Sequence, residues 1–562
     1  MIQDALSNAI KEALADASQA LGLESGTLPE PEVTRPRLKE HGDWSTNVAL
    51  VLAPRTGRPP RDVAQALAER LQKNPAFQKV DVAGPGFINL FLGNTWLHDV
   101  LSEILEKAAA FGRKAGKRGK RFQVEFVSAN PTGPLHVGTA RNAAIGDSLA
   151  NALEADGYAV EREYYWNDTG TQVELFAASL EARYLAQLGI EAEIPEGGYH
   201  GEYLVDVARE IAASVGDRLV NEDPETRREI LRDEGHRLML ERIEGTLARF
   251  GVRFDSWVTE GWLIRGGLVA HAVERLRKGG YVYESEGATW FRSTSFGDDK
   301  DRVLIRQTGE PTYFAKDCAY MLHKVERRFD RMVYVWGADH HGDVKRMMGA
   351  AEALGIDPKR VQILLYQLVS FYRGGEPVRM SKRTGDVVSL DELLDEVGPD
   401  AARYSLLTRS PDSPLDFDIE AVTRQTLDNP VYYVQYAHAR IASILRVAAE
   451  QGVELRPHRD APLHQLTHES ELDLIRRLGE WPEVIEIVAE ALAPHRLTRY
   501  AEQLAADFHR FYTECRVITE DQNLTQARLA LCLATKTVVA SALHLIGVSA
   551  PESMERLDAG AI

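Results

Sequence analysis

A glycine-rich segment, PTGPLHVGTARNAAIGD from Pro131, has the residue types of a phosphate-binding loop. Gly133 and Gly138 have no side chain, so the backbone there can approach a ligand closely. His136 lies between them, where a β-type run, QVEFVSA, has ended and a helical pattern begins. A helix N-terminus favours a phosphate through its free N–H groups and its dipole, and a histidine there can donate to a phosphate oxygen. Taken alone, such a segment is also typical of an ordinary polar loop.

A second candidate is the basic segment VRMSKRTGDVVSLDELL from Val378. Arg379, Lys382 and Arg383 crowd three cations into a stretch that ends at Gly385. These cations repel one another unless an anion lies among them, and one charge pair at about 4 Å and an effective dielectric of about 20 is worth about 4 kcal/mol. The segment therefore indicates either a phosphate site or a solvated basic loop.

The composition is that of a globular protein with several domains. A length of 562 residues predicts three or four domains at roughly 150 residues each. With 44% hydrophobic and 27% charged residues, the chain is neither disordered nor collagen-like. The net charge of −18 argues against a general nucleic-acid coat but leaves room for local basic patches. GRKAGKRGKR, residues 112–121, is either such a patch or a solvated linker.

Cysteine usage and the apolar segments indicate a cytoplasmic protein that is not bound to membranes. The three cysteines, Cys318, Cys515 and Cys532, are far apart and form neither a disulfide framework nor a CxxC pair. The N-terminal segment carries acids within an amphipathic helical pattern, unlike a signal peptide. The most apolar late stretch, LALCLATKTVVASALHLIGV, contains several polar residues and predicts a buried core helix.

The elements around the candidate loops predict an α/β catalytic domain between two smaller parts. A helix, a second helix from Pro59-Pro60 and the strand-like VDVAGPGFINLFLG predict a small N-terminal α+β domain. QVEFVSA, the helix after His136 and a strand at 160–165 form the first half of a Rossmann-like unit, and RVLIRQ, RMVYVWGA and VQILLYQLVSFY fit later strands of the same parallel sheet. Residues from about 171 to 265 are charged and helical, as in an insertion, and the pattern from about Ala421 predicts an all-α bundle.

The two loops together resemble the signatures of class I aminoacyl-tRNA synthetases. HVGT at His136–Thr139 is similar to the HIGH motif, and RMSKR at Arg379–Arg383 is similar to KMSKS. More narrowly, the chain resembles arginyl-tRNA synthetases along essentially its whole length, in these segments: VEFVSANPTGPLHVG, YFAKDCAY, GADHHGDVKRM, NPVYYVQYAHARI, HGDWSTNVAL, VAGPGFINL and GVSAPESMERL. Three positions depart from the motifs: Thr139 replaces a histidine, Arg379 a lysine and Arg383 a serine.

The resemblance implies that arginine reacts with ATP to form arginyl-adenylate, and that the terminal adenosine of the arginine tRNA then takes the arginyl group. His136 and Lys382 are the implied catalytic residues. The implied ATP contacts are Gly133, His136, Gly138, Met380 and Lys382, with Mg²⁺ held mainly by phosphate and water. The expected partners are L-arginine, ATP and tRNA, and the expected state is a monomer.

For arginine itself, the resemblance implies contacts from Glu125, Ser128, Asn130, Tyr313 and Asp317. A guanidinium calls for carboxylates in planar, bidentate geometry, and Asp317 is the expected partner. Tyr313 and Asp317 are four residues apart, so they share a face if the segment is helical. Glu125 and Asn130 are expected to fix the amino-acid head group. Without the family context, Asp317 would be an ordinary surface acid.

The resemblance also places His340 among the expected arginine contacts, at a position where relatives often have a glutamine against the substrate. Asp339, His340 and His341 could together suggest a metal site, but the sequence places no further ligands beside them, and we expect no metal there.

The expected tRNA contacts are Phe87 and Asn89 in the N-terminal domain and Tyr433, Gln435 and Tyr436 in the C-terminal bundle. An aromatic ring and an amide are suitable groups for holding an unstacked base. The alternatives are that Phe87 belongs to the core, that Asn89 is a turn residue, and that the tyrosines are packing residues.

The expected organisation has four parts. Residues 1–112 form an α+β tRNA-binding domain, 113–385 the class I catalytic domain with its insertion, 386–425 a connecting stem, and 426–562 a helical anticodon-binding domain.

Three other functions remain as alternatives. A cysteine or glutamate synthetase is disfavoured because the cysteines offer no zinc site and the acidic pocket suits a cation. Intact His136 and Lys382 argue against a tRNA-binding paralogue with a decayed active site. A small adenylyltransferase would need neither terminal domain.

Overall fold

The computed structural model describes residues 2–23, 28–36, 38–116, 119–378 and 388–554.

The N-terminal part is a small α+β unit, as predicted. Its elements are α1 (Ile2–Leu21), β1 (Val33–Thr34), β2 (Trp44–Thr46), α2 (Val48–Thr56), α3 (Pro60–Leu71), β3 (Phe77–Ala83) and β4 (Phe87–Leu92). The strands form an antiparallel sheet in the order β1-β2-β4-β3. Leu6, Ile10 and Leu14 of the α1 stripe are fully buried in its core. At the β3–β4 turn, Gly86 has a φ of +149°, and a Cβ there would lie 3.0 Å from the carbonyl oxygen of Pro60, so the turn needs glycine.

The central part alternates strands and helices. In chain order its elements are α4 (Asn94–Lys107), β5 (Arg121–Glu125), α5 (Ala140–Ala155), β6 (Ala159–Trp166), α6 (Thr171–Gln187), α7 (Glu202–Val215), α8 (Pro224–Arg249), β7 (Ser256–Thr259), α9 (Glu260–Arg265), α10 (Leu268–Lys278), β8 (Val282–Ser285), β9 (Ala288–Phe291), β10 (Arg302–Ile305), α11 (Tyr313–Glu326), β11 (Arg331–Gly337), α12 (His341–Ala353), β12 (Val361–Tyr366), β13 (Val369–Arg373), β14 (Glu376–Pro377), α13 (Leu390–Val397), α14 (Pro399–Leu406), β15 (Leu415–Asp418) and α15 (Ile419–Thr423).

Five of these strands form the parallel sheet that the sequence predicts. Their order is β12-β11-β5-β6-β7, and every neighbouring pair is parallel. The runs QVEFVSA, RMVYVWGA and VQILLY supply β5, β11 and β12, so their apolar pattern identified three strands correctly. Nearly every residue of α5 is buried, because this helix lies between the sheet and the C-terminal helices.

The helical insertion consists of α6, α7 and α8, which pack on one another around their own apolar cluster, including Phe176, Leu180 and Leu204. It ends at Arg249. Residues 256–265, which the sequence pattern assigned to the insertion, instead form β7 and α9, and β7 is the edge strand beside β6. A strand of four residues flanked by charged residues is too short to show a clear periodicity.

Two smaller sheets account for strands that the sequence pattern misplaced. The prediction that RVLIRQ joins the main parallel sheet was wrong, because β10 pairs antiparallel with β9 in the sheet β10-β9-β8. The VSFY part of VQILLYQLVSFY forms β13, which belongs to a third sheet, β14-β13-β15. A short apolar run identifies a strand but carries no information about its partner.

The C-terminal part is the predicted helical bundle. Its helices are α16 (Pro430–Glu450), α17 (Glu469–Gly479), α18 (Trp481–Ala491), α19 (His495–Glu514) and α20 (Gln522–Ile546). By length and composition α20 could cross a membrane, but 67% of its most apolar window is buried, and it packs against α16, α17, α19, α4 and α5. It is therefore the core helix that the sequence predicts.

The three parts are joined by packing and by ion pairs. The apolar cluster around α4 and α5 continues into the C-terminal helices. Arg35 donates to Glu483 at 2.8 Å and Arg476 donates to Asp43 at 2.8 Å, so charged contacts tie the N-terminal unit to the bundle.

Candidate active site

Strand order in the parallel sheet reverses between β5 and β11. The chain passes from β5 to β6 on one side, while β11 pairs with β5 on the other side. Where strand order reverses in this way, a crevice opens at the carboxyl ends of the strands, and ligands bind there. Glu125 ends β5 and Gly337 ends β11, so the residues that follow them lie at this edge.

The turn after β5 holds two non-glycine residues in the left-handed region, Val127 at φ +66° and Ser128 at φ +47°. Such strain persists only where surrounding contacts fix it, and for a β-branched residue it is unusual. Asn142 of α5 provides these contacts: its Oδ1 accepts from the Val127 N–H at 2.6 Å, and its Nδ2 donates to the Val335 carbonyl at 2.9 Å. One buried amide therefore ties β5 to β11 and directs the chain into Ser128–Asn130.

This turn brings together three of the residues predicted to contact arginine. The Ser128 hydroxyl donates to Glu125 Oε1 at 3.3 Å and accepts from the backbone of β6 at 3.2 Å. Asn130 Oδ1 accepts from the Asn167 N–H at 3.1 Å. A hydrogen bond thus joins Ser128 to Glu125, and Asn130 is separately anchored to the residue that follows β6, all at the carboxyl end of the sheet.

Asp317 lies on α11, whose first turn is capped by Thr312. Burial, and then the nearby carboxylates of Glu125 and Glu260, raise the pKa of Asp317 to about 7, although Arg346 opposes the shift. Within the described ranges, no hydrogen bond or ion pair joins the Asp317 carboxylate to another residue. An acid in this setting favours binding of an external cation.

The neighbouring carboxylates are already neutralised by lysines. Lys324 Nζ lies 2.6 Å from Glu125 Oε2, and Lys316 Nζ lies 2.5 Å from Glu260 Oε2. Sequence reasoning missed both lysines and Glu260. The lysines are close to Asp317 along the chain, but their partners lie at the end of β5 and at the start of α9, which no local pattern connects to that segment.

Tyr313 and His340 are more exposed. Tyr313 begins α11, as the four-residue spacing requires, and its side chain is 61% exposed, with Lys316 Nζ 4.8 Å from the ring centroid. His340 follows β11, and its Nδ1 lies 3.1 Å from Asp343. Among the described residues, no group of three or more His, Cys, Asp or Glu side chains is placed to hold a metal.

The glycine-rich segment forms a tight turn into α5. His136 Nδ1 accepts a hydrogen bond from the Gly138 N–H at 2.7 Å, so the neutral ring carries its proton on Nε2. A Cβ at position 138 would lie 2.8 Å from that Nδ1, and this explains the glycine. Gly133 lies beside the ring of Tyr203, whose hydroxyl donates to the Thr132 carbonyl at 2.7 Å, so the insertion supports this loop.

The basic segment returns to the histidine loop. Met380 and Lys382, with Arg379 and Arg383, lie outside the described residues. Directly after them, the Val388 carbonyl accepts from the Val137 N–H at 3.2 Å, and the Leu390 N–H donates to the Leu135 carbonyl at 2.7 Å. The chain that leaves the basic segment is therefore hydrogen-bonded to both sides of His136. Thr139 donates its hydroxyl to the His136 carbonyl at 2.7 Å, so it helps to close the turn.

The predicted tRNA residues lie on elements outside the parallel sheet, on β4 of the N-terminal unit and on α16 of the bundle. Phe87 is 41% exposed on β4, so it is not a core residue, whereas Asn89 is buried within the same strand rather than in a turn. Gln435 is buried, and its amide nitrogen Nε2 donates to Asp400 at 2.8 Å and to the Ser549 carbonyl at 2.9 Å. Gln435 therefore links α16 to the stem, in agreement with a packing role.

Tyr433 and Tyr436 lie near a basic groove in the bundle. The ring of Tyr433 is 4.9 Å from that of His509, and the Tyr436 hydroxyl accepts from Arg440 at 2.9 Å. Tyr436 and Arg440 line a groove of about 750 Å³ whose described lining has three arginines and no acid. The charged and aromatic residues of this lining are Tyr436, Arg440, Arg446, Tyr512 and Arg516.

Comparison with known families assigns each part of the chain. Residues 4–92 match the model for the arginyl tRNA synthetase N-terminal domain, residues 100–418 the model for the catalytic domain of class I (R) tRNA synthetases, and residues 434–554 the DALR anticodon binding domain. These matches cover all three structural parts.

Full-length relatives agree. The arginine–tRNA ligase of Moorella thermoacetica is 50% identical over 98% of both chains, and that of Heliobacterium modesticaldum is 47% identical over 98% of this chain and 99% of the other. The Thermus thermophilus arginyl-tRNA synthetase structure is 25% identical and superposes with a TM-score of 0.75, covering 99% of this chain and all of that one. The fold thus extends over the whole length. The chain belongs to the arginyl-tRNA synthetase family of class I aminoacyl-tRNA synthetases.

Proposed function

We propose that the protein ligates L-arginine to the 3′-terminal adenosine of its tRNA through an arginyl-adenylate, with release of AMP and pyrophosphate, in translation. The observation that carries this proposal is Asp317, a carboxylate in the crevice that has no cationic partner among the described residues and whose pKa is raised to about 7 by burial and by nearby acids. A guanidinium supplies the missing charge in a planar shape that a carboxylate can bind bidentately.

The remaining arginine contacts follow from the same crevice. Glu125, Ser128 and Asn130 lie where strand β5 ends, and we assign them to the amino-acid head group. Tyr313 precedes Asp317 by four residues on α11 and covers the side-chain end of the site, and His340 approaches from the end of β11. A lysine substrate would leave acceptors in such a pocket unpaired, and discrimination of that kind reaches about 10⁴–10⁵.

We assign ATP to the histidine loop. Gly133 and Gly138 allow close approach of the backbone, and His136 donates from Nε2 to a phosphate oxygen. Met380 and Lys382, outside the described residues, are proposed to complete this site, with Lys382 as the cation that stabilises the charge developing on the triphosphate. Mg²⁺ would bind with the nucleotide and be held mainly by phosphate and water.

The reaction needs positioning more than a protein nucleophile. The arginine carboxylate attacks the α-phosphorus, the bond to the pyrophosphate oxygen breaks, and a ribose hydroxyl of the tRNA later attacks the activated carbonyl and displaces AMP. The three cysteines are buried, and we give none of them a role in these steps. The contribution of this chain is to hold the reacting groups in line and to stabilise negative charge.

For tRNA we propose two surfaces. Phe87, exposed on β4, with Asn89 beside it, suits an unstacked base in the N-terminal unit of residues 1–112. The basic groove of the bundle, residues 426–562, suits the anticodon loop through its arginines and through Tyr436, with Tyr433 next to it. Residues 113–385 would carry the chemistry and 386–425 connect the two. We expect a cytoplasmic monomer. The amide of Gln435 is buried and donates to Asp400 and Ser549, which favours packing over RNA contact for this residue.

The test is ATP–pyrophosphate exchange with each amino acid in turn, with and without unfractionated tRNA. The proposal expects exchange with arginine that depends on tRNA, since the family typically activates arginine only with its tRNA bound. Exchange with a different amino acid, or with none, would contradict it.

A further inference from the structure

Lys324 is a fully buried cation directly beneath the crevice. Its side chain is 0% exposed, and its Nζ lies 2.6 Å from Glu125 Oε2 and 3.9 and 3.8 Å from the ring centroids of Tyr320 and Tyr334. An ammonium held between two rings and one carboxylate has exchanged its water for fixed protein groups. The position of the Glu125 carboxylate is therefore set by the position of this lysine.

The surroundings of this pair are acidic. Glu163 is paired with Glu125 in register across β5 and β6, and burial, with help from Glu125, raises its pKa. Burial lowers the pKa of Lys324, while Glu125 and Glu163 oppose that shift. The titratable and charged groups around the pair are Asp317 and Tyr320 from α11, Arg327 directly after α11, Glu163 and Tyr165 from β6, Tyr334 from β11 and Glu260 from α9. Arg327 contacts Glu161 and Glu163 and not Glu125, so among the described residues Lys324 is the cation that contacts Glu125.

The two carboxylate oxygens of Glu125 also have different partners. Oε2 contacts Lys324, while Oε1 accepts from the Ser128 hydroxyl at 3.3 Å, at the turn that leads into the proposed head-group site. Without the ammonium, Glu125 would lie beside Glu163 and Asp317 with no cation in contact. A buried carboxylate in that situation takes up a proton.

We propose that Lys324 is a positioning residue, the internal counter-ion that keeps Glu125 ionised and turned toward Ser128 so that Glu125 can hold the α-ammonium group of arginine. This inference rests on the proposed function. Lys324 touches no substrate atom and acts through Glu125 alone.

The test is the pH dependence of arginine activation by the full-length Lys324→Met protein, measured as tRNA-supported ATP–pyrophosphate exchange. Because loss of the ammonium leaves the buried Glu125 carboxylate with no contacting cation among the described residues, we expect the KM for arginine to rise about tenfold or more near neutral pH and to recover as the pH is raised by about two units. The KM for ATP should stay within about twofold, since His136 and its loop do not contact this pair.

Two further variants separate positioning from stability. Lys114→Met removes a comparable ion pair, because Lys114 Nζ lies 2.7 Å from Asp156, whose side chain is 0% exposed, at the far end of α5. It should lower thermal stability without a pH-dependent change in the KM for arginine. In the double variant Lys324→Met with Glu125→Gln, the KM for arginine should stay raised at every pH, because no carboxyl group remains to ionise.

The outcomes are distinct. A wild-type protein without arginine-dependent exchange overturns the proposed function itself. A working wild type, with a Lys324→Met protein that keeps the wild-type pH profile or raises both KM values together, overturns the role of Lys324 alone. If Lys324→Met does not fold, Lys324→Arg keeps the charge and should retain a wild-type pH profile, and a profile that recovers only at high pH would overturn the inference.

Discussion

At the scale of single residues, the chemistry of the crevice depends on how each carboxylate is neutralised. Glu125 and Glu260 each contact a lysine, at 2.6 and 2.5 Å. Asp317 has no such contact in the described part of the chain, and its pKa is raised to about 7. A bound guanidinium favours the ionised form of the acid, because an opposite charge in contact lowers its pKa. Arginine binding should therefore be coupled to proton release near neutral pH.

The first prediction follows from this release of a proton by Asp317 when arginine binds. The ionised form of Asp317 binds the guanidinium, so affinity for arginine should fall as the pH is lowered through about 7 and level off above it. Calorimetric titration in two buffers of different ionisation enthalpy should show proton release near pH 7 and little proton release about two pH units above.

Asp317→Asn should raise the KM for arginine about 100-fold, equivalent to about 3 kcal/mol, with little change in the KM for ATP. The control is Asp206→Asn on the exposed face of α7, and an unchanged arginine KM for Asp317→Asn would remove Asp317 from the pocket.

At the scale of elements, the sequence predicted those helices, strands and turns that depend on residues close together along the chain. The β-type run ending at Glu125, the glycine-bordered loop and the buried α5 are visible because apolar periodicity and glycine spacing reflect neighbours along the chain. Pairing across the sheet is not visible in this way. The run RVLIRQ predicts a strand but not its pairing with β9. In the same way, nothing in the sequence around Lys324 indicates the carboxylate of β5 that it contacts.

The turn after β5 is the clearest case of such a non-local feature. Nothing in the sequence of Val127 and Ser128 indicates left-handed backbone, and the strain is supported from α5 by the amide of Asn142. That amide joins the turn after β5 to β11 at the point where strand order reverses.

The second prediction tests this support. Asn142→Ala should leave the Val127 N–H and the Val335 carbonyl without their partner, at about 1–3 kcal/mol for each buried group. Thermal unfolding should therefore begin at a lower temperature, and the KM for arginine should rise because Ser128–Asn130 loses its fixed position. Asn151→Ala on the same helix, whose contacts are with Asp147, Arg162 and Leu545, should lower stability without that effect on KM. Full stability of Asn142→Ala would refute the role of the amide.

At the scale of the whole molecule, a protein of net charge −18 has to bind an anionic RNA. The bundle groove meets this requirement locally, because Arg440, Arg446 and Arg516 line it without an acid among its described residues. Tyr436 and Tyr512 add two aromatic rings, and the guanidinium of Arg440 lies over them at 4.6 and 5.0 Å from their centroids. Aromatic rings and arginines together are the groups that hold unstacked bases. The groove therefore concentrates positive charge on the bundle, on elements other than those that carry the proposed arginine contacts.

The third prediction concerns those arginines. Arg446→Gln and Arg516→Gln should each raise the KM for tRNA and lower the slope of log affinity against log salt by about 0.7 for each phosphate contact removed. The KM for arginine should not change, because neither residue approaches the crevice. Arg209→Gln on the insertion, an exposed arginine paired with Asp206, is the matched control. If both groove variants keep the wild-type tRNA affinity and salt slope, the RNA lies elsewhere.

The last prediction concerns how the parts are held together. Arg403 of α14 is fully buried, and its Nε donates to the Ile546 carbonyl at 2.5 Å, its Nη1 to the Phe250 carbonyl at 2.9 Å and its Nη2 to Asp147. These acceptors lie at the end of α20, just after α8 and in the middle of α5, so one guanidinium joins the bundle, the end of the insertion and the helix beside the main sheet. Arg403→Met removes all three bonds and leaves Asp147 with only Arg162, at 3.3 Å, as its cation among the described residues, which should cost about 3–5 kcal/mol.

Scanning calorimetry should show a clear fall in the unfolding temperature of Arg403→Met, and limited proteolysis should cut between the catalytic part and the bundle sooner than in the wild type. Arg403→Lys should fall between the two, because a single ammonium cannot reach three acceptors in the directions that the planar guanidinium serves. The control is Arg228→Met, which removes an ion pair of Glu181 on the surface of the insertion, where Arg227 still contacts that acid. If Arg403→Met unfolds at the wild-type temperature, the attachment of the bundle depends on the apolar packing of α20 against α5 rather than on this residue.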